Sequence, residues 1–335
     1  MLNIKKICIL VSILFLFLIR AEADTAPERY SIFLKPLFGL GIGHSDEIVY
    51  KYSWEKTYLS ELIWDLKPVY YAGLALDFRR ENPFARNGIT ATGSVKFGLP
   101  LKTGIMEDRD WQYINNNELT NYSRHDVYLQ AAIHTGLSAG YSWRLTDYLA
   151  LGAYGEFSYM RYSWMAEDGY VQYLYSDEFG YIIPGQTWDK ETTPKYNIYG
   201  PGIRYTQNWF LLSPGLTIKG KINPLFSLEG HFSYSPLIYC MDRDDHLFKQ
   251  LSFWGFLSYG HHINCGGSFI CSPFDKFDFS LSASYRYITG TRGSTYVKST
   301  GIQGTNTAYQ TSSDGGGAGY KVLDIGLAVR IKIYN

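Results

Sequence analysis

Residues 89–105 read ITATGSVKFGLPLKTGI, and large apolar side chains alternate there with small or polar ones. The apolar set occupies odd positions: Val95, Phe97, Leu99 and Leu101. The polar set occupies even positions: Thr90, Thr92, Ser94, Lys96 and Lys102. Successive side chains of a strand point to opposite faces, so this period of two predicts a strand with one apolar face. In a membrane β-barrel that face meets lipid and the polar face lines the lumen.

The same alternation continues in residues 60–78, SELIWDLKPVYYAGLALDF. The apolar set here occupies even positions: Leu62, Trp64, Leu66, Pro68, Tyr70, Ala72, Leu74, Leu76 and Phe78. The odd positions include Glu61, Asp65, Lys67, Gly73 and Asp77. We therefore expect the even face to meet lipid along its whole length. Segments 127–143, 277–287 and 323–333 follow the same pattern.

Ten alternating segments follow one another along the chain: roughly 30–50, 59–79, 88–107, 126–145, 148–165, 198–220, 225–242, 247–269, 275–298 and 318–334. Short turns such as 144–147 alternate with mostly longer connections, which include 107–125, 166–197 and the brief 243–246. This order is typical of outer-membrane barrels, with short periplasmic turns and longer extracellular loops. We predict an all-β, ten-stranded antiparallel transmembrane β-barrel with long extracellular loops. Because a membrane crossing takes only about 10 strand residues, the barrel should extend above the outer membrane.

The first 23 residues have the features of a signal peptide. They contain a basic start, an apolar run and a small-x-small cleavage site: Lys5-Lys6, residues 7–19 and Ala21-Glu22-Ala23. We expect residues 1–23 to be removed and residues 24–335 to form a single barrel domain. No later stretch is apolar for the 18 or so residues that a membrane helix needs. A spanning chain without such helices must close into a barrel to satisfy its backbone hydrogen bonds.

Composition and cysteine content agree with an exported barrel. Aromatic residues make up 17% of the chain, with 30 Tyr and 8 Trp, which suits the interfacial girdles of a barrel. The net charge is zero, so no nucleic-acid partner is indicated. Beyond the signal peptide lie Cys240, Cys265 and Cys271. The last two would be about 20 Å apart in an extended strand, too far for a disulfide unless Gly266-Gly267 breaks it.

Two acidic clusters lie where predicted strands run into connections: residues 107–111, EDRDW, and residues 242–246, DRDDH. In an extended chain, residues i and i+2 share a face, so Asp108 and Asp110 point the same way. Either cluster alone is ordinary for a charged loop tip. The strand count, however, places both clusters and Glu47 at the long-loop ends of their strands, and therefore on one rim.

The alternation also predicts which rim side chains face the lumen. Carrying the outward odd parity of residues 89–105 forward turns Asp108 and Asp110 inward. Glu47 also faces inward if Phe38 and Ile42 face lipid.

The seventh segment is different, because its apolar set shares parity with Asp244 and His246: Phe226, Leu228, Phe232, Tyr234 and Ile238. An unbroken strand would turn Arg243 and Asp245 inward instead. A β-bulge near Pro236 or just after Cys240 would restore the inward orientation of Asp244 and His246.

These residue types are suited to activating water. A carboxylate that accepts a hydrogen bond from one imidazole nitrogen fixes the tautomer and leaves the other nitrogen free to take a proton. Two close carboxylates opposite can hold the water and share a proton. One histidine among many carboxylates, without a His-x-x-x-His or a Cys pair, does not favour a metal site.

These residues, in this order, resemble the omptin family of outer-membrane proteases over the whole mature chain. The similar stretches are Glu47-Ile48-Val49-Tyr50, Glu61-Leu62-Ile63-Trp64-Asp65, Met106-Glu107-Asp108-Arg109-Asp110-Trp111, Ser123-Arg124-His125, Arg161-Tyr162-Ser163-Trp164 and Asp242-Arg243-Asp244-Asp245-His246. Omptins are ten-stranded barrels in which an aspartate pair and an Asp/His dyad activate water on opposite walls of a surface groove. The resemblance implies that Asp108 and Asp110 form the pair, and Asp244 and His246 the dyad.

The resemblance also implies a substrate class. Omptins usually cut after a basic residue held by acidic groups, and Glu47 and Asp242 match those positions. Polypeptides with Arg or Lys before the scissile bond are therefore the expected substrates. Asn121 lies where the family has an acidic residue that favours a basic residue after the cut, so strict dibasic specificity does not carry over.

Omptins further need lipopolysaccharide, bound on the outer barrel wall by clustered basic residues. Arg161 matches one of these; the other positions carry Phe157, Tyr159, Asn208 and Ser258. We expect no tightly bound cofactor, and a lipopolysaccharide dependence that is weakened or replaced by another outer-membrane lipid.

The leading hypothesis is a monomeric aspartic-type endopeptidase of the bacterial outer membrane with its active site facing outside. It would hydrolyse peptide bonds after basic residues, with His246 as the base. The alternative is a catalytically altered barrel that acts as an adhesin or binds a host protein. A small pore is less favoured, because about ten strands leave a lumen largely filled by side chains.

Overall fold

The computed structural model describes residues 30–51, 57–80, 82–113, 118–176, 182–183, 185–274, 276–299 and 309–334. The predicted signal peptide lies outside these ranges. Within them, no helix is long and apolar enough to cross a membrane.

The described residues form fifteen strands: β1 Tyr30–Tyr50, β2 Tyr58–Arg80, β3 Gly88–Gly98, β4 Lys102–Asp110, β5 Asn121–Arg144, β6 Leu149–Tyr173, β7 Tyr196–Asn197, β8 Pro201–Lys221, β9 Phe226–Ser235, β10 Ile238–His246, β11 Leu251–Ser258, β12 His261–Phe274, β13 Phe277–Thr289, β14 Arg292–Ser299 and β15 Tyr309–Tyr334. Four successive pairs continue one another across a short break: β3/β4, β9/β10, β11/β12 and β13/β14. The two-residue β7 pairs only with β6. The remaining strands therefore make ten long walls.

The ten walls close into a ring. Each wall pairs antiparallel with the next along the chain, and β15 also pairs with β1. Among the described residues, each of the ten walls has hydrogen-bonding partners on both sides, so closure leaves none of these walls as a free sheet edge. The predicted ten-stranded antiparallel barrel is confirmed.

An apolar belt covers the outside of the barrel toward the end with short turns. Its side chains are unusually exposed for their size: Phe38 is 58% exposed and Leu137 65% exposed. Such a belt is the surface that a transmembrane barrel presents to lipid. On β1 the belt ends at Ile42, five residues before Glu47, so the loop end projects beyond it.

Several walls extend further into the loop end than the alternation predicted, and β15 begins at Tyr309 instead of residue 318. β5 begins at Asn121 and β6 continues to Tyr173, with Asn121 paired to Tyr173. The segment 243–246, expected as a connection, belongs to β10, and the turn follows it at residues 247–250. Asp244 and His246 are therefore fixed by pairing with β8 and β11 and do not lie on a loop.

The expectation that the even face of β2 meets lipid along its whole length is wrong. Leu74 and Leu76 are exposed on the belt, but Leu62, Trp64 and Leu66 are buried inside the barrel, with exposures of 4%, 0% and 1%. The upper half of β2 contributes its apolar side chains to the barrel interior.

The cause is a β-bulge at Pro68. β1 pairs Gly41 with Val69 but Gly43 with Leu66, so two steps along β1 match three along β2. Proline has no N–H to contribute to the ladder, and an extra residue in a strand exchanges its two faces.

The bulge expected in the seventh wall is present at Pro236-Leu237, between β9 and β10. Phe232 pairs with Leu216, whereas Ile238, six residues later, pairs with Leu211, only five residues earlier. Because of this extra residue, positions of the same parity face lipid before the bulge and the barrel interior after it. Phe232 lies on the belt, and Ile238 is 5% exposed inside the barrel.

An aromatic layer fills the interior beneath the loop end. Trp64, Trp164 and Tyr205 stack on one another with ring centroids 5.4 to 6.0 Å apart, and all three are fully buried. Stacked rings bury large apolar areas in a fixed geometry. The layer provides a rigid floor for the cavity above it.

Candidate active site

A cavity of about 720 Å³ opens at the loop end, above the aromatic floor. Its lining includes all six predicted catalytic and substrate-binding residues: Glu47, Asp108, Asp110, Asp242, Asp244 and His246. They come from β1, β4 and β10, and the walls of β4 and β10 are four positions apart in the ring of ten. The two acidic clusters therefore face one cavity from opposite sides.

Asp108 and Asp110 lie on the inner face of β4, as their spacing predicted. Ser60 Oγ donates to Asp108 Oδ1 at 3.4 Å, and Asn121 Nδ2 donates to Asp110 Oδ2 at 3.4 Å. The intervening Arg109 points outward and forms an ion pair with Glu107, with Nη2 2.6 Å from Oε2. Alternation thus separates the two cavity carboxylates from a surface ion pair.

The two carboxylates of the pair lie above the lipid belt, and each resists ionisation. Burial raises the pKa of Asp108 well above its usual value, and the nearby Asp110 and Asp244 raise it further. Burial also raises the pKa of Asp110. Because two close carboxylates in a dry site disfavour a double negative charge, the pair favours one shared proton.

Asp244 and His246 are in direct contact on β10. His246 Nε2 lies 2.5 Å from Asp244 Oδ2, and Asp244 is only 4% exposed. The His246 and Phe253 rings pack in a T-shaped arrangement, with centroids 5.4 Å apart. Since Asp244 accepts the Nε2 hydrogen, Nδ1 is the nitrogen that can accept a proton from the cavity.

The neighbours Arg243 and Asp245 occupy the opposite face of β10. Arg243 Nε donates to Asp245 Oδ1 at 2.8 Å, and the guanidinium lies 4.6 Å from the centre of the Trp254 ring. The bulge at Pro236-Leu237 therefore turns Asp244, and not Asp245, into the cavity.

Glu47 and Asp242 form a second acidic group deeper in the cavity. Burial raises the pKa of Glu47 well above its usual value, helped by the negative charges of Asp244, Asp242 and Asp108. Burial also raises the pKa of Asp242 to about 7, against an opposing hydrogen bond from Tyr205. Tyr205 OH donates to Asp242 Oδ2 at 3.0 Å. Two neighbouring buried acids would hold a cationic side chain more readily than they hold two negative charges.

Three residues of the site were not predicted from the sequence: Gly255 and Lys249 line the cavity, and Tyr205 is buried behind it. Gly255 on β11 pairs with Asp242, and Tyr205 on β8 reaches the Asp242 carboxylate with its hydroxyl. A Cβ at Gly255 would come within 2.1 Å of Asp242 Oδ1, so only glycine leaves room for that carboxylate. Lys249 lines the cavity and lowers the pKa of Asp108 by its charge, against the larger effect of burial. Neither alternation nor spacing distinguishes these residues from ordinary strand and turn residues.

Arg161 lies outside the cavity, on the exposed outer wall. Its Nη1 is 3.4 Å from Asn208 Oδ1, which also accepts from Tyr159 OH at 3.0 Å. Phe157 is 45% exposed on the same strand. The positions that the resemblance related to lipid binding on β6 and β8 therefore form one outward patch, separate from the cavity.

The remaining sequence expectations concern the three cysteines and metal binding. Cys240, Cys265 and Cys271 are free thiols. In the part of the chain that the structure describes, no three His, Cys, Asp or Glu side chains are arranged to hold a metal ion.

Comparison with known proteins agrees with the barrel fold. A family model described as the Omptin family matches residues 29–331. The chain belongs to the omptin family. The omptin resemblance inferred from the two acidic motifs is confirmed.

Individual relatives are more distant than the family match. The plasminogen activator of Yersinia pestis is 27% identical to this omptin over 256 residues, which cover 72% of each chain. The crystal structure of the outer membrane protease OmpT from Escherichia coli aligns with a TM-score of 0.76 at 19% identity, covering 92% of this chain and 100% of that one. At this identity, the structural likeness establishes the shared transmembrane barrel fold.

Proposed function

We propose that this omptin is an aspartic-type endopeptidase of the bacterial outer membrane, with its active site facing outside the cell. The observation that carries the proposal is the cavity, which is lined by the Asp244/His246 dyad on one wall and by Asp108 and Asp110 on the opposite wall. A dyad and a carboxylate pair on opposite walls are suited to holding one water between them.

In the proposed reaction, His246 Nδ1 removes a proton from that water, and Asp244 stabilises the resulting imidazolium through Nε2. The hydroxide attacks the peptide carbonyl. The proton shared by Asp108 and Asp110 provides a hydrogen bond for the developing oxyanion. When the C–N bond breaks, His246 returns its proton to the leaving amine, which restores the neutral base.

Glu47 and Asp242 support a preference for Arg or Lys before the scissile bond. Glu47 is buried and Asp242 half-buried, and both line the same cavity of about 720 Å³ as the catalytic groups, which can admit an extended cationic side chain. A guanidinium or ammonium would neutralise them and relieve their mutual repulsion.

Peptide cleavage tests the function directly. We expect refolded protein to cleave a fluorogenic peptide containing Arg-Lys and to leave intact a matched peptide with citrulline and norleucine. Asp108→Ala should abolish cleavage, because the water loses one of the two carboxylates of the Asp108/Asp110 pair that hold it. Undiminished cleavage by Asp108→Ala would refute the mechanism, and no cleavage by the natural sequence in any lipid would favour the adhesin.

The outer-wall patch around Arg161 is proposed to bind an outer-membrane lipid that supports activity. Because only one of its basic positions is retained, we infer a weaker dependence on lipopolysaccharide. Assays in lipopolysaccharide, in phospholipid and in detergent alone would compare these requirements.

Gly255→Ala should weaken substrate binding without affecting the base. The added methyl would displace the Asp242 carboxylate, so KM for an Arg peptide should rise about tenfold or more while kcat changes little, since a misplaced charged hydrogen bond costs about 1.5–3 kcal/mol. Gly155→Ala is the matched control, because a Cβ there meets nothing within 4 Å. Equal KM values for both variants would contradict the role of Gly255.

Selectivity for basic residues should increase with pH through about 7. Below that value Asp242 is protonated and has lost the charge that attracts Arg; above it, the carboxylate is ionised. The ratio of kcat/KM for an arginine peptide to that for its citrulline analogue should therefore rise with pH. Using the ratio removes the titration of the catalytic groups, and a ratio independent of pH between 5 and 9 would argue against Asp242 as the cation's partner.

A further inference from the structure

A buried chain of hydrogen bonds runs from the barrel interior to Asp242. Trp209 Nε1 donates to Gln207 Oε1 at 3.0 Å, and Gln207 Nε2 lies 3.0 Å from Tyr205 OH. Tyr205 OH in turn lies 3.0 Å from Asp242 Oδ2. Gln207, Tyr205 and Trp209 are all fully buried, so water does not compete for these bonds. We call these four residues the Asp242 chain.

The direction of the Asp242 chain is fixed by its buried end. An indole nitrogen can only donate, so Gln207 must present its oxygen to Trp209. On the other side Gln207 Nε2 also donates to the Asp46 carbonyl, at 3.3 Å, and a carbonyl can only accept. Both constraints give the amide one orientation, in which its nitrogen donates to the Tyr205 oxygen.

The hydroxyl hydrogen of Tyr205 therefore has one acceptor available. Its oxygen accepts from Gln207, and its hydrogen points along the remaining contact, to Asp242 Oδ2. A hydrogen bond donated to a carboxyl oxygen favours the ionised form. Glu47 Oε2 is buried and unpaired among the described residues. A hydrogen bond from Trp64 lowers the pKa of Glu47, but burial and the negative charges of Asp244, Asp242 and Asp108 each raise it by more.

We propose that the Asp242 chain assigns the negative charge of the substrate-binding pair to Asp242 and the proton to Glu47, with Tyr205 and Gln207 as positioning residues. The proposal rests on the proposed role of Asp242 in binding the cationic side chain. It explains how two adjacent buried acids can present one defined charge to an entering Arg or Lys. Without the chain, the charge would be divided between the two acids.

The charged and titratable groups around Asp242 are few. Tyr205 faces it from β8 and Glu47 from β1, while Cys240 and Asp244 flank it on β10. From β11, the backbone of Gly255 donates a hydrogen bond to it. Apart from hydrogen bonds, these neighbours disfavour the ionised state of Asp242. The hydroxyl of Tyr205 is thus the side-chain group that opposes them.

The test is an infrared titration of protein labelled with ¹³C-aspartate, in which the Asp242 band is identified by its loss in Asp242→Asn. Tyr205→Phe should raise the pKa of Asp242 by about one to two pH units, the size expected for a lost hydrogen bond to a charged group. Gln207→Met should raise it less, because Tyr205 keeps its hydroxyl but loses its orientation.

The control is Tyr162→Phe, which removes another buried tyrosine hydroxyl, bonded to Tyr320 OH at 2.8 Å, without touching Asp242. It should leave the Asp242 titration unchanged. Heat-modifiable migration on a gel checks that each variant folds. An identical titration in Tyr205→Phe, Tyr162→Phe and the natural sequence would overturn the proposal.

Kinetics give a second measurement. Tyr205→Phe should raise KM for an arginine peptide about tenfold with kcat within about twofold, and leave the citrulline peptide unaffected. A fall in kcat with KM unchanged would overturn the positioning role. Since the infrared titration needs no catalysis, a shifted titration in an inactive protein would support the chain while refuting the proposed function.

Discussion

His246→Ala is expected to lower kcat for an arginine peptide by about 10²–10⁴-fold, the usual contribution of a positioned general base. The substrate's cationic side chain still meets Asp242, so KM should change by less than about threefold. The base acts on water and not on the groups that bind the substrate, so kcat should fall while KM stays nearly constant. Steady-state kinetics on refolded protein measure both.

His261→Ala is the matched control for this experiment. His261 is exposed on the outer wall, where its ring is bonded to the Tyr234 hydroxyl at 2.9 Å. Its loss should leave both constants within about twofold, as is usual for an exposed substitution. Equal activity of the two variants would remove His246 from the mechanism.

Asp242→Asn is expected to lower kcat/KM for an arginine peptide by about 100-fold or more. Removing one partner of a buried charge pair costs about 2–5 kcal/mol, and here the substrate's cation would be left without its ionised partner. The citrulline analogue carries no charge and should lose far less. The two peptides together therefore isolate the electrostatic part of recognition.

Asp245→Asn provides the comparison, since it removes a carboxylate three residues along the same strand but on the opposite face. Asp245 accepts from Arg243 and does not line the cavity. We expect it to retain the selectivity of the natural sequence. Loss of selectivity in both variants would indicate a general effect of the strand and not a specific site at Asp242.

The fold could be predicted because alternation is a local property that repeats. Each lipid-facing strand carries an apolar side chain at every second residue. Closure of the ring follows because backbone N–H and C=O groups in lipid need hydrogen-bonding partners. The inward orientation of Asp108 and Asp110 was also predicted, although the chain departs twice from a regular strand before reaching them. Leu101 and Lys102 are adjacent and both exposed, so the inner and outer faces of the strand change places there. The bulge at Gly104 exchanges the two faces again, which restores the predicted orientation.

The upper half of β2 shows where alternation fails. Trp64 and Leu74 share parity and apolar character, yet one lies in the interior and the other on the lipid belt. Apolar side chains suit both environments, so hydrophobicity alone does not reveal that a bulge at Pro68 has exchanged the faces.

The sequence by itself determined the barrel class, the two acidic motifs and their location on one rim, because strand period and strand count depend on neighbouring residues only. Tertiary structure decided which groups act together. It set the register that turns Asp244 inward, the space beside Gly255 and the chain that leads from Trp209 to Asp242. Those features join the neighbouring walls that contain β8, β10 and β11, and a hydrogen bond or a steric gap between two walls exists only after they have paired.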